Sequence, residues 1–123
     1  MHRSMMQVHI KKSDEALEFY QKAFGAEILC RHVNQEDGTI AHAELDVFGQ
    51  ILALSELDDN EEITGNIMQL CLHFGDGKED IIQKTYDILK DGANLIHPLG
   101  KCDFSPLMAD LIDKFGVRWC IFV

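Results

Sequence analysis

The sequence lacks several features that would each assign it to a class of proteins. It has no apolar run near the roughly 20 residues that a membrane-spanning helix needs, no low-complexity tract, and only two prolines among 123 residues. Its first residues, MHRSMMQVHI, contain no long apolar stretch and no small-residue cleavage motif, so they are not typical of a secretory signal peptide. We therefore expect a single domain, residues 1–123, that works in the cytoplasm without a membrane partner.

Basic charge is also scarce. The chain carries 11 Lys and Arg against 21 Asp and Glu, a net charge of −10. A nucleic-acid binder needs a basic surface that releases counterions from phosphates, and these few scattered cations do not provide one. We expect no nucleic-acid partner. The acidic excess fits either a charge that keeps the protein in solution or an acidic pocket for a cationic ligand.

The four cysteines form no CxxC pair, which argues against the common zinc and redox motifs. Three of them lie in apolar runs that read as strands, where a free thiol behaves as a small hydrophobic side chain. We expect all four to be reduced and mostly structural: Cys30, Cys71, Cys102 and Cys120.

An internal repeat is the strongest positive signal. The pair Gly-Ala occurs at 25–26 and again at 92–93, and the pair Phe-Gly at 48–49 and again at 115–116; 92 − 25 and 115 − 48 are both 67. Several landmarks in one register indicate two copies of one unit. The copies span about 1–57 and 65–123, joined by the short acidic linker LDDNEEITGN.

Each copy has the pattern strand–helix–strand–strand–strand. In the first copy, MMQVHI alternates like a strand, and a helix follows with Ser13 as its predicted N-cap and Gly25 as its C-cap. AEILCRHV, TIAHAELDV and QILALSE read as three further strands, and the second copy repeats this order. A ferredoxin-like module needs a βαββαβ order, which does not fit. The helix can cover one face of a sheet, so the other face needs the second unit or a partner chain.

These segments resemble a known family. EALEFYQKAFGAE, HAELDVFGQILALSE and PLMADLIDKFGVRWCIFV are similar to the vicinal oxygen chelate (glyoxalase/bleomycin resistance/dioxygenase) superfamily, in particular its PhnB-like branch. The resemblance implies an α+β fold of two tandem βαβββ units, with eight strands forming mixed sheets around a cavity and two main helices outside. Some members are labelled 3-demethylubiquinone 3-methyltransferases, but no glycine-rich nucleotide loop follows a strand here.

The resemblance also locates a metal site, since metal-dependent members draw four His or Glu ligands from the first and last strands of each unit. The matching positions here are Met5, Ala53, Gln69 and Cys120. Divalent cations prefer carboxylate, imidazole or thiolate donors, and only Cys120 could supply one. A shifted register would add Glu56 at most. We predict no metal and no other cofactor, with a metal bound in a different register as the alternative.

Side chains alternate between the two faces of a strand, and this alternation selects the other candidate site residues. His42 and Glu44 would lie towards the cavity or solvent, while Ala41, Ala43, Leu45 and Val47 pack on the helix. His42 and Glu44 could act as a base and its partner, or form an ordinary surface pair. A nucleophilic Cys120 would need a cation to lower its pKa; Arg118 shares its face, but burial acts in the opposite direction. The predicted ligand-binding residues, including a loop aromatic over the cavity mouth, are Met5, Gln7, His9, Ala53, Gln69, Cys71, His73, Phe104, Arg118 and Cys120.

Three functions stay open at this level. The first is a protein that binds a small molecule without the family metal. The second is a metal-free acid–base enzyme that uses His42, Glu44, His9 or His73, and the third is a metal-dependent glyoxalase- or dioxygenase-type enzyme. We also expect a homodimer, because the terminal residues 119–123 carry more apolar surface than one inner face needs.

Overall fold

Two helices and eight strands follow the predicted βαβββ order twice. A computed structural model describes residues 1–58, 65 and 67–123. The predicted linker, residues 57–66, falls largely outside the described residues. The elements are β1 (Met6–Ile10), α1 (Ser13–Phe24), β2 (Glu27–Val33), β3 (Ile40–Val47), β4 (Gln50–Glu56), β5 (Leu70–His73), α2 (Glu79–Leu89), β6 (Asn94–Gly100), β7 (Met108–Ile112) and β8 (Arg118–Phe122).

The strands form two open, mixed sheets of four strands each. The first has the order β1-β4-β3-β2 and the second β5-β8-β7-β6. In both sheets the first strand runs parallel to the last strand of its unit, and the remaining pairs are antiparallel. The chain divides into two compact units, Met1–Ile63 and Thr64–Val123. The tandem βαβββ fold is therefore confirmed.

One side of each sheet is apolar and buried. In the first unit Ala43 pairs with Leu54 and Leu45 with Leu52, and α1 lies against β1, β3 and β4. The second unit repeats this register, with Ala109 opposite Ile121 and Leu111 opposite Trp119. All eight side chains are buried. The residues that alternate with them form the other side of each sheet, named below after its central carboxylate as the Glu44 face and the Asp110 face.

The prediction that Ala41 belongs to the helix-packed row is wrong. Ala41 is exposed and Ile40 is buried instead. The cause is a β-bulge: His32 pairs with His42, but the next residue, Val33, pairs with Ile40, so Ala41 is the extra residue on β3. The bulge shifts the alternation by one position, and Ala43, Leu45 and Val47 keep the predicted side.

Ser13 is not the N-cap of α1, which is a second correction. Lys12 holds the N-cap position with φ 55°, and Ser13 is the first helical residue. The buried Ser13 hydroxyl donates to Glu56 Oε1 at 2.8 Å and accepts from the Ile40 N–H at 2.8 Å. Glu56 also accepts from the Ser13 N–H at 3.0 Å, so a carboxylate from β4 satisfies the helix start.

Both Phe-Gly pairs lie in β-hairpin turns, which explains their equal spacing. Gly49 and Gly116 have φ 91° and 89°, a conformation that disfavours any residue with a Cβ. An aspartate three residues earlier accepts hydrogen bonds from each turn: Asp46 from the Gly49 N–H at 2.7 Å, and Asp113 from backbone N–H groups of the second turn. The repeated sequence D-x-F-G thus encodes a repeated turn.

Neither of the two described helices has the length and apolar character that a membrane crossing would need. The cysteines are all free thiols, as predicted: Cys30, Cys71, Cys102 and Cys120.

Candidate functional site

The Glu44 face presents a row of side chains across the first sheet. Glu44 on β3 lies opposite Cys30 on β2 and Ala53 on β4, and Ala53 lies opposite Gln7 on β1. Ala53 is fully buried and Glu44 is 6% exposed, whereas Gln7 and Cys30 are half-buried. The centre of this face is therefore shielded from solvent although it carries a charge.

Glu44 is held by a guanidinium group and an imidazole. Arg3 donates from Nη1 to Oε1 at 2.6 Å and from Nη2 to Oε2 at 3.0 Å, which is a bidentate ion pair. The Nε2 atom of His42 lies 2.9 Å from Glu44 Oε2. The predicted contact of His42 with Glu44 is thus present, and it belongs to a three-residue network.

This network keeps Glu44 ionised. Hydrogen bonds from Arg3 and then His42 lower the pKa of Glu44 from 4.5 to about 2, and they outweigh the opposing effect of burial. An acid with so low a pKa cannot serve as a proton donor at neutral pH. Glu44 can orient His42 or bind a cation.

The network includes two residues that the sequence did not single out. Arg3 lies before β1, where no periodic pattern points to it. The alternation of side chains along β2 could have identified Cys30, because Cys30 is the cross-strand partner of Glu44. The ligand atoms of Cys30, His42 and Glu44 all lie within 4.8 Å of one another.

The remaining predicted residues of the first unit are dispersed. Gln7 donates from Nε2 to the Ser55 hydroxyl at 2.6 Å. His9 is exposed and lines an open groove of about 360 Å³ together with Ser55 and Glu56. Met5 lies just before β1 and is half-buried. Of these residues, Gln7 belongs to the row that contains Glu44, whereas His9 lies opposite Ser55, two residues further along β1.

The Asp110 face of the second sheet holds a similar ion pair. Arg118 donates from Nε to Asp110 Oδ1 at 3.1 Å and from Nη2 to Oδ2 at 2.8 Å. Gln69 donates from Nε2 to Asp110 Oδ1 at 2.8 Å. Two predicted ligand-binding residues, Gln69 and Arg118, thus meet on a carboxylate that the sequence did not identify.

Two thiols lie beside this ion pair. Cys71 and Cys120 are partners on the parallel strands β5 and β8, and Cys120 is also opposite Asp110. Burial, followed by the nearby Cys71 and Asp110, raises the pKa of Cys120 to about 11. A thiol with this pKa is protonated at neutral pH, so Cys120 is a poor nucleophile.

Aromatic rings occupy the other end of the same face. The rings of His73 and Phe122 stack at 4.5 Å with an interplanar angle of 9°, and Phe104 meets Phe122 edge-on at 5.3 Å. Phe104 is 64% exposed. Because Arg118, Cys120 and Phe122 alternate along β8, the face changes along one strand from an ion pair through a thiol to a ring cluster.

The residues at the family's metal positions do not fit a divalent cation. Met5 and Ala53 offer a thioether and a methyl group, and the Gln69 amide already donates to Asp110. Cys120 is the one strong donor among the four, and a single ligand does not make a site. Glu56, the alternative in a shifted register, accepts two hydrogen bonds from Ser13.

Comparison with known proteins gives one family. The sequence model of the Glyoxalase/Bleomycin resistance protein/Dioxygenase superfamily matches residues 5–121. No curated protein sequence matches the chain.

Several solved structures share the fold. A putative 3-demethylubiquinone-9 3-methyltransferase, PhnB protein, from Bacillus cereus is 25% identical, with a TM-score of 0.82 and coverage of 98% of both chains. Protein PA1353 from Pseudomonas aeruginosa is 19% identical, with a TM-score of 0.81 and coverage of 99% of this chain and 97% of the other. The fosfomycin resistance protein FosX from Listeria monocytogenes, complexed with Mn(II) and 1S,2S-dihydroxypropylphosphonic acid, is 14% identical, with a TM-score of 0.66 and coverage of 98% and 90%.

Proposed function

Since the chain belongs to the Glyoxalase/Bleomycin resistance protein/Dioxygenase superfamily, we propose that it binds a small organic molecule on the Asp110 face without the family metal. The observation that carries this proposal is the change of chemistry along β8, from the Asp110–Arg118 ion pair to the His73–Phe122–Phe104 ring cluster. Ligand sites commonly combine apolar and aromatic walls with a few oriented polar groups.

The arrangement favours a ligand with a flat ring and one polar group. The ring would stack against the exposed Phe104 and its neighbours, since aromatic pairs contribute about 0.5–1.5 kcal/mol beyond the area that they bury. The polar group would meet Arg118, whose guanidinium is part-buried and already oriented by Asp110. Such a protein could sequester a compound in the cytoplasm, where we propose that it acts as a homodimer.

A metal-free acid–base enzyme is the second candidate, and the His42–Glu44 contact of 2.9 Å supports it. Glu44 would hold the imidazole in one orientation, and the partly exposed ring of His42 would accept the proton from a substrate. In that case His42→Gln would abolish turnover.

The test uses chelator-treated protein and a set of small aromatic carboxylates, with binding followed by saturation-transfer NMR. We expect Phe104→Ala to weaken binding several-fold, because the substitution removes an exposed ring without opening the core. Ile67→Ala is the matched control, as it removes an exposed apolar side chain that lies outside the helices and strands.

Equal binding by wild type and Phe104→Ala would contradict the proposed site. Ligand binding that required added Mn²⁺ or Zn²⁺ would contradict the proposal that the ligand binds without a metal.

A further inference from the structure

Three side chains with different metal-binding groups converge on the Glu44 face, away from the family's metal positions. The Cys30 sulfur, a ring nitrogen of His42 and a carboxylate oxygen of Glu44 lie within 4.8 Å of one another. Their placement follows from the sheet: Cys30 and Glu44 are cross-strand partners, and His42 is two residues from Glu44 on β3. The backbone of two paired strands therefore fixes all three.

The chemistry of this trio selects the ion. Thiolate, imidazole and carboxylate together suit Zn²⁺ and similar borderline cations, whereas Mg²⁺ and Ca²⁺ prefer all-oxygen sites. A tetrahedral zinc site with bonds of about 2.0–2.3 Å places its ligand atoms ~3.3–3.8 Å apart. The trio needs to contract by roughly 1 Å to reach that geometry, a movement that side-chain rotation can supply.

Arg3 occupies the carboxylate that a metal would use. Its guanidinium donates one hydrogen bond to each carboxylate oxygen of Glu44, and its side chain is 49% exposed in the segment before β1. An arginine there keeps Glu44 compensated while no metal is bound, and its exposure leaves room to withdraw. Arg3 and a divalent cation would repel each other, so they compete for Glu44.

We propose that Cys30, His42 and Glu44 form a binding site for zinc or a similar divalent ion, with Arg3 as the competing cation. Binding replaces the Arg3–Glu44 ion pair with a metal–carboxylate bond and releases the Cys30 thiol proton to solvent. His42 binds through an unprotonated ring nitrogen; if this is Nε2, its proton moves to Nδ1 and its hydrogen bond to Glu44 is broken. Three protein ligands leave a fourth tetrahedral position open. All three ligands belong to the first unit, whereas the residues of the ligand site proposed on the Asp110 face belong to the second.

The test is titration of untagged, chelator-treated protein with Co²⁺, followed by Zn²⁺ calorimetry. We expect one equivalent per chain and a thiolate-to-cobalt absorption band in the near ultraviolet. Cys30→Ser should remove the band, His42→Gln should weaken binding at least tenfold, and Arg3→Gln should tighten it several-fold. Cys71→Ser and His2→Gln are the matched controls, because they change an exposed cysteine and an exposed histidine outside the trio.

The proposal is overturned if no stoichiometric binding occurs, if the absorption band survives Cys30→Ser, or if Arg3→Gln weakens binding. If Cys30→Ser fails to fold, the effect of His42→Gln on metal binding is the test. The His42 side chain is partly exposed, so its substitution should leave the fold intact. Metal binding unchanged by His42→Gln would then overturn the site.

Discussion

At the scale of single residues, the two central carboxylates are each neutralised by a bidentate arginine. Glu44 faces Ala53 across the hairpin and Asp110 faces Cys120, so the two acids occupy corresponding positions of the repeat. Their arginines have different origins, because Arg3 precedes β1 whereas Arg118 belongs to β8. A ligand on either face therefore meets an ion pair, and the net charge of −10 is not concentrated at these positions.

The first prediction concerns acid stability. The pKa of Glu44 falls from 4.5 in its ordinary state to about 2 in the folded chain, so its contribution to stability is present above pH 4.5 and is lost as the pH falls towards 2. Glu44→Gln lacks this contribution. In urea denaturation of chelator-treated protein, the difference in the free energy of unfolding between wild type and variant should shrink from about pH 5 to about pH 2.5.

Glu36→Gln, in the exposed turn between β2 and β3, is the control and should show no comparable pH dependence. If the difference in the free energy of unfolding between wild type and Glu44→Gln stayed constant from about pH 5 to about pH 2.5, the Arg3–Glu44 ion pair would not be present in solution.

The second prediction concerns Cys120. With its pKa raised from 9.0 to about 11, the folded thiol has roughly one-hundredth of the thiolate of an ordinary cysteine near pH 8. Iodoacetamide should therefore modify Cys120 far more slowly than the exposed Cys71, as measured by peptide mass spectrometry. The unfolded chain releases this proton first, so the contribution of Cys120 to stability should decline from about pH 9 upwards. Equal labelling rates in the native protein would contradict the shift.

The alternation of side chains along a strand was sufficient to place His42 beside Glu44, because alternate residues of a strand share a face. It could not find Arg3, since the contact spans 41 residues of chain and depends on a long side chain from an irregular segment. The roles of the predicted ligand-binding residues, from Met5 to Cys120, stay predictions.

At the scale of elements, the D-x-F-G turns determine where the last two strands of each unit meet. The second turn is the more strongly anchored, because buried Asp113 also accepts from the Trp119 indole N–H at 2.8 Å. One carboxylate thus joins the turn to the core side of β8.

Asp113→Ala should therefore destabilise the protein by about 2–4 kcal/mol, since it leaves the Trp119 indole and two backbone N–H groups without their acceptor. Urea denaturation gives the measurement. Asp103→Ala, at an exposed loop position, is the control. A loss of stability no larger than that of the control would show that water or another group replaces the carboxylate.

Element order was predictable from the sequence because hydrophobic periodicity and the repeat agreed in both units. The β-bulge at Ala41 and the role of Ser13 could not be predicted from the sequence. A bulge has no signature in a regular alternating run, and the N-cap propensity of Ser13 was overridden by its tertiary hydrogen bonds to Glu56 and Ile40.

At the scale of the whole molecule, the basis for the predicted homodimer changes. Trp119, Ile121 and Val123 are already buried within the chain, so they do not supply the unused apolar surface that the sequence suggested. Exposed apolar side chains instead lie on β2 and β6, which are edge strands of their sheets. They are Leu29, Val33, Leu95 and Ile96.

We therefore expect a dimer of about 28 kDa, twice the chain mass of 14.0 kDa, in sedimentation equilibrium at low micromolar concentration. The dimer should persist or tighten as salt screens the negative charges. Leu29→Lys with Ile96→Lys should weaken it, whereas the exposed polar change Gln35→Lys should not. A 14 kDa species at every salt concentration would rule the dimer out.

A comparison of two affinities tests whether the chain binds its ligand without the family metal. The dissociation constant of a bound aromatic carboxylate is measured for chelator-treated protein and for the same protein with one equivalent of Mn²⁺. We predict that the two values agree within about twofold, because Met5, Ala53, Gln69 and Cys120 offer no suitable donor set. Binding that appeared only with Mn²⁺ and was lost on Gln69→Ala or Cys120→Ser would show that the ligand binds through a metal at the family's positions.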